Sequence, residues 1–124
     1  MASHSEPRLQ AFKADGTSIT AYAFVKYGTD REHVALCGAN EKAIGIAKQA
    51  AATAEKVIEV YLPGGGGLLQ ISETITGGQS LTSTSAGLGE AADADLEWCG
   101  AVAYDGGVAN DVIAVEVTGF THGQ

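Results

Sequence analysis

Apolar and polar residues alternate along this chain in short runs separated by glycine, proline or asparagine turns, a period of two rather than 3.6. Residues 19–27 (ITAYAFVKY) and 33–37 (HVALC) read as strands rich in β-branched and aromatic residues, and 43–47 as a short third. Residues 57–62 (VIEVYL) give the clearest signal, with Ile58, Val60 and Leu62 on one face and Val57, Glu59 and Tyr61 on the other. Residues 111–118 repeat it, with Ile113, Val115 and Val117 inward and Val112, Ala114 and Glu116 outward, as in a half-buried antiparallel strand. The run PGGGG at 63–67 should break the chain sharply before LLQIS at 68–72 resumes it. A strand edge and turn at 74–78, a short strand at 80–83, a long loop at 84–96 with a candidate helical turn near 90–96, and a strand at 98–104 complete the pattern.

Part of this pattern occurs twice. Residues 43–64 (AIGIAKQAAATAEKVIEVYLPG) align without a gap on 98–119 (WCGAVAYDGGVANDVIAVEVTG), matching Gly45 with Gly100, Ala54 with Ala109, Val57 with Val112, Ile58 with Ile113, Val60 with Val115 and Gly64 with Gly119. The repeat also decides a local ambiguity. Residues 48–56 (KQAAATAEK) have helical propensity, but their counterpart carries Asp105-Gly106-Gly107, which suits a loop or at most one helical turn. Two copies are too few for a solenoid. The reading is an all-β fold, a small β-barrel or β-tulip of two pseudo-repeated units with a flexible N-terminal arm. Residues 1–18 are polar and broken by Pro7 and Asp15-Gly16, with Leu9 and Phe12 as the only large apolar side chains. They read as an arm that is either plainly disordered or ordered by a neighbouring subunit. The expected organisation is arm 1–18, barrel 19–119 and short tail 120–124.

Charge divides the chain. All seven basic residues lie at or before Lys56, whereas residues 57–124 hold nine acidic residues and no basic one, within a net charge of −8. No basic footprint is available for nucleic acid or for an anionic membrane surface. The acidic part reads as a solvated face, or as the outer side of a polarised molecule whose neutral part meets a partner. Cys37 and Cys99 lie in apolar runs and read as buried free thiols. The polar start and the lack of a long apolar run imply synthesis in the cytoplasm.

Candidate chemistry is sparse. The glycines at 64–67 lack the Lys-Ser/Thr and helix of a phosphate loop. His4, His33 and His122 show no metal-ligand spacing, and Asp93, Asp95 and Glu97 lack the rest of a calcium loop. His33 and Cys37 share a strand face but stand too far apart for a nucleophile and its base, and no Gly-x-Ser-x-Gly occurs. No enzyme activity, cofactor or metal is therefore expected. Trp98 is either a core residue or part of a subunit contact.

The succession IGIAKQAAATAEKVIEVYLPGGGGLLQI, ITGGQSLTS and CGAVAYDGGVANDVIAVEV, over about residues 33–119, resembles the capsid decoration, or cement, proteins of tailed bacteriophages. Its elements are Ile44-Gly45-Ile46-Ala47, residues 57–62 with Gly64-Gly65, residues 75–83 and residues 100–117. The loop at 84–97 is longer than the family pattern needs, and the segment up to Tyr27 has no clear counterpart. The resemblance implies a structural virion protein on the outside of an expanded icosahedral capsid, stabilising it by clamping neighbouring capsid subunits. The implied partner is the major capsid protein, and such proteins often form trimers. On this reading Arg8, Leu9 and Phe12 of the arm are the candidate capsid-binding residues. The alternative is a non-viral small β-barrel that binds a ligand or carbohydrate, which would need more exposed aromatic residues than the sequence offers.

Overall fold

The computed structural model describes residues 6–16, 18–92 and 98–121, apart from the side chains of the last two. Ten strands and no helix occur among them: β1 (Leu9–Ala14), β2 (Phe24–Tyr27), β3 (His33–Leu36), β4 (Gly45–Ala47), β5 (Val57–Tyr61), β6 (Gly66–Gln70), β7 (Ser80–Ser83), β8 (Gly89–Ala91), β9 (Trp98–Ala103) and β10 (Val112–Thr121). The all-β class holds. The first five strands form a closed barrel in the order β1-β3-β2-β4-β5, and the last five form a sheet in the order β6-β10-β9-β7-β8.

These two units are the same fold, copied. Leu9↔Tyr61 between β1 and β5 recurs as Gly66↔Glu116 between β6 and β10. Phe24↔Ile46 recurs as Ser80↔Val102, Val25↔Leu36 as Leu81↔Ala91, and Ile46↔Tyr61 as Val102↔Glu116. The parallel pair Ala14↔Val34 that closes the barrel recurs as the single parallel bridge Ile71↔Gly89, which draws the two edges of the second sheet together. Loop details repeat as well. Tyr22 (φ 62°) donates its N–H to the Ala47 carbonyl at 2.7 Å, and Gly78 (φ 92°) donates to Ala103 at 2.7 Å. The bridge Ile19↔Ala51 reappears as Ile75↔Gly107.

The repeat thus spans the whole described chain rather than the two hairpins visible in sequence. The matches of Val57, Ile58 and Val60 with Val112, Ile113 and Val115 are true structural equivalents. Gly45 instead corresponds to Ala101, one residue from the Gly100 that sequence alignment pairs with it, because the ladders fix β4 on β9 one step differently from β5 on β10.

Interior positions correspond too. Phe12, Ala14, Val25, Ala47, Ile58 and Val60 fill the first barrel, and Leu69, Ile71, Leu81, Ala103, Ile113 and Val115 fill the second unit. Volume is exchanged between neighbours. Val34 becomes Gly89, and the space a Cβ would need there is taken by Leu69 at 2.6 Å and Ile71 at 3.4 Å. Such compensation keeps a core packed while its sequence drifts.

The units are joined by the outer face of the first barrel. Phe24, Ile46 and Tyr61 alternate with barrel-lining residues, point outward, and are buried in one cluster with Leu69, Leu81, Val115 and Val117. Phe24 lies over Gly100 and Tyr61 over Gly67, so the absence of side chains on the second unit makes room for two aromatic rings. Across the seam, Phe24 N–H donates to Gly87 O (2.8 Å), Asn40 N–H to Ser83 O (2.9 Å) and Gln70 N–H to Tyr22 O (2.8 Å).

Several expectations need correction. The expected arm at 1–18 contributes β1, which pairs with β5 along its whole length and with β3 at its end, so the barrel begins at Leu9 rather than at residue 19. The expected strand at 19–27 is regular only as β2, because the chain turns at Ala21–Tyr22 with Tyr22 in the left-handed region. Gly66 and Gly67 belong to β6 rather than to a break, and Glu90 lies in β8. Residues 48–56 form a loop, as the repeat implies. The rest of the helical turn expected near 90–96, together with Asp93, Asp95 and Glu97, lies largely outside the described residues.

A Cβ at position 100 would sit 2.6 Å from the buried Phe24 ring. Gly100→Ala is therefore expected to destabilise the protein by about 1–3 kcal/mol in urea unfolding. Phe24→Leu should cost less in that background than in the wild type. Additive losses would show that the seam is not packed as described.

Candidate functional site

The three residues expected to contact a partner are not brought together. Phe12 is 4% exposed and lines the barrel among Val34, Ile58 and Val60, so the core excludes it from any contact surface. Leu9 is 39% exposed on β1. Arg8 lies in front of the turn between the units, and its guanidinium Nη1 donates to the Pro63 carbonyl at 2.9 Å. A side chain on Gly64 or Gly65 would collide with Arg8, so these glycines make its seat rather than a phosphate loop.

Arg8 marks the edge of a larger feature. Two adjoining open clefts, of about 470 and 580 Å³, share Tyr27, Ala43, Ile44 and Trp98. One continues to Arg8, Leu62 and Pro63, and the other to Lys26, Glu41 and Lys42. Each wall has a local cause. Ile44 and Leu62 flank the ends of β4 and β5 and pack partly on the barrel core. Tyr27 ends β2, is 48% exposed, and sets its ring edge-on to Phe12 with centroids 6.3 Å apart. Trp98 opens β9 of the second unit. Its indole Nε1 donates to the Ala43 carbonyl at 3.1 Å, and Gly119 leaves room beside the ring. One part of Trp98 packs on the core while the rest walls the groove. The sequence signal for this site was the pair of alternatives left open for Trp98.

The rim is cationic. Lys26 Nζ pairs with Glu41 Oε1 at 2.7 Å, and Glu41 also accepts from the Gly38 N–H at 2.6 Å. The Lys26 bond above all, then the Gly38 bond, holds the Glu41 carboxyl below its ordinary 4.5. Lys42 Nζ stands 5.3 Å from the centre of the Trp98 ring. Neither Arg8 nor Lys42 forms an ion pair with a carboxylate among the described residues.

Titratable groups elsewhere serve structure. His33 is held between Asp30 (Nδ1 to Oδ1, 2.7 Å) and Glu55 (Nε2 to Oε2, 2.8 Å), tying the start of β3 to the loops on either side of it in space. The bond to Asp30, then that to Glu55, raises the His33 pKa above 6.5, and the same His33 bond lowers Asp30 below 3.8. Cys37 and Cys99 are buried and form no disulfide, and burial above all, with Glu41 adding, pushes the Cys37 thiol up to about 12. No group of three or more metal-ligating side chains occurs among the described residues.

No protein-family model matches the sequence, and no curated protein matches it in sequence. In three dimensions the chain is similar to the N base of the head fiber gp8.5 in bacteriophage phi29. The TM-score is 0.71 at 12% identity, over 90% of this chain and 95% of that one. At that identity the likeness shows a common fold.

Three measurements follow. Because the His33 pKa is raised on folding, its contribution is full below about 6.5 and is lost as pH rises through the folded value. The stability gap between wild type and His33→Gln should therefore narrow as pH rises above 6.5, and NMR titration should place His33 above 6.5. Asp30 acts oppositely: its contribution is present above 3.8 and is lost as pH falls through its depressed value. Native protein should also resist an aromatic disulfide reagent at pH 8, both thiols reacting only after denaturation.

Proposed function

We propose that this protein is a structural component of a phage head. It binds the outer surface of an expanded icosahedral capsid and stabilises it by clamping neighbouring subunits of the major capsid protein. The observation that carries this reading is the match of nearly the whole chain, over both units, to the base of a phage head fiber. The resemblance of residues 33–119 to decoration proteins supports it independently of that match. So does the distribution of charge: the part of the chain up to Tyr61 holds seven basic and seven acidic residues, and the remainder carries the whole net charge of −8. The neutral unit suits contact with the shell and the acidic one suits water. The protein is proposed to act as a homotrimer at threefold or quasi-threefold positions, where several weak contacts add through multivalency. It is made in the host cytoplasm, needs no nucleic acid or membrane, and has no catalytic role.

Quantitative mass spectrometry of purified particles tests this. A copy number standing in a simple icosahedral ratio to the major shell protein is expected. Absence from particles, together with no co-sedimentation with expanded shells, would overturn it.

A further inference from the structure

Resting on that reading, we infer that the groove between Tyr27 and Trp98 is the shell-docking surface. Its occupant is a segment of the major capsid protein that carries carboxylates beside an aromatic or branched aliphatic side chain. Three observations converge. The groove walls are the exposed Tyr27 and the half-buried Ile44, Leu62 and Trp98, an accessible apolar surface with the aromatic side chains that anchor protein contacts. Its rim holds Arg8, Lys26 and Lys42, three of the seven basic residues of an acidic chain. Among the described residues, only Lys26 of these three is matched by a carboxylate, that of Glu41. Arg8 engages a carbonyl and Lys42 an indole ring, so among the described residues neither positive charge is neutralised by a carboxylate, and both suit one that arrives with a partner.

The groove also lies where the units meet. Trp98 belongs to the second unit, and Tyr27, Ile44 and Leu62 to the first. An occupant therefore reads the relative placement of both units rather than a loop of either. Arg8, expected from sequence to face the shell, lines this groove, while Phe12 lies in the core.

The test measures binding of full-length protein to purified expanded shells of the major capsid protein from the same source. Arg8→Glu combined with Lys42→Glu should lower shell affinity roughly tenfold or more and flatten its salt dependence. Lys13→Glu combined with Arg31→Glu makes the same charge change elsewhere on the first unit and should change affinity less than about twofold. Tyr27→Ser, in a half-exposed side chain, should also weaken binding, and melting curves report whether each variant is folded. Lys42→Glu alone serves if the Arg8 change disturbs the turn at Pro63. Equal losses from both charge pairs, or no loss from the groove variants, would overturn this inference while leaving shell binding intact. Failure of the wild type to bind the shell would instead remove the functional reading on which it rests.

Discussion

The structure depends on one contact, the burial of the outer face of the first barrel against the second unit. A five-stranded barrel of about fifty residues has a thin core: its interior holds little more than Phe12, Ile19, Val25, Val34, Ile58, Val60 and three alanines. Domains of that size are marginal because too little of their surface is removed from water. Here Phe24, Ile46 and Tyr61 add a second buried layer that belongs to neither unit alone. The glycines opposite them let the sheets approach closely enough for ring-to-backbone packing. That seam also fixes the placement of Trp98 against Ala43, and hence the shape of the groove.

Duplication accounts for how much was legible in sequence. Alternation gave the fold class, because half-buried strands leave a period of two wherever one face meets a core. The repeat was visible only at the hairpins β4–β5 and β9–β10, where equivalent residues kept their identity, as in Ile58 and Ile113. Elsewhere the copies preserved shape rather than residues. LQAFKA in β1 answers GGLLQ in β6, and the exchange of Ala14 and Val34 for Ile71 and Gly89 keeps the volume while erasing the similarity. β1 itself was read as an arm because its stretch is polar and broken by Pro7 and Asp15-Gly16, and its partners in β5 lie more than forty residues away.

The groove was harder to foresee for a geometric reason. Its residues come from the end of β2, the approach to β4, the exit of β5 and the start of β9. No spacing in the chain unites them. Arg8, singled out in the same stretch, has an exposed, backbone-tethered setting beside a glycine turn. The preference for Phe12 rested on its being apolar in a polar stretch, which a barrel strand explains equally well.

The closure of the first barrel within residues 9–61 bears on synthesis order. All five of its strands are synthesised before Gly66 is added, so the first barrel emerges ahead of the second unit and can close on itself while the end of the chain is still being made. Until the second unit follows, Phe24, Ile46 and Tyr61 face solvent as an adhesive surface that would equally accept another nascent chain. The four-residue connection from Leu62 to Gly65 keeps the second copy tethered at high local concentration, which favours pairing within one molecule over tangling between neighbours. Covalent linkage of the two units thus acts as a safeguard against aggregation.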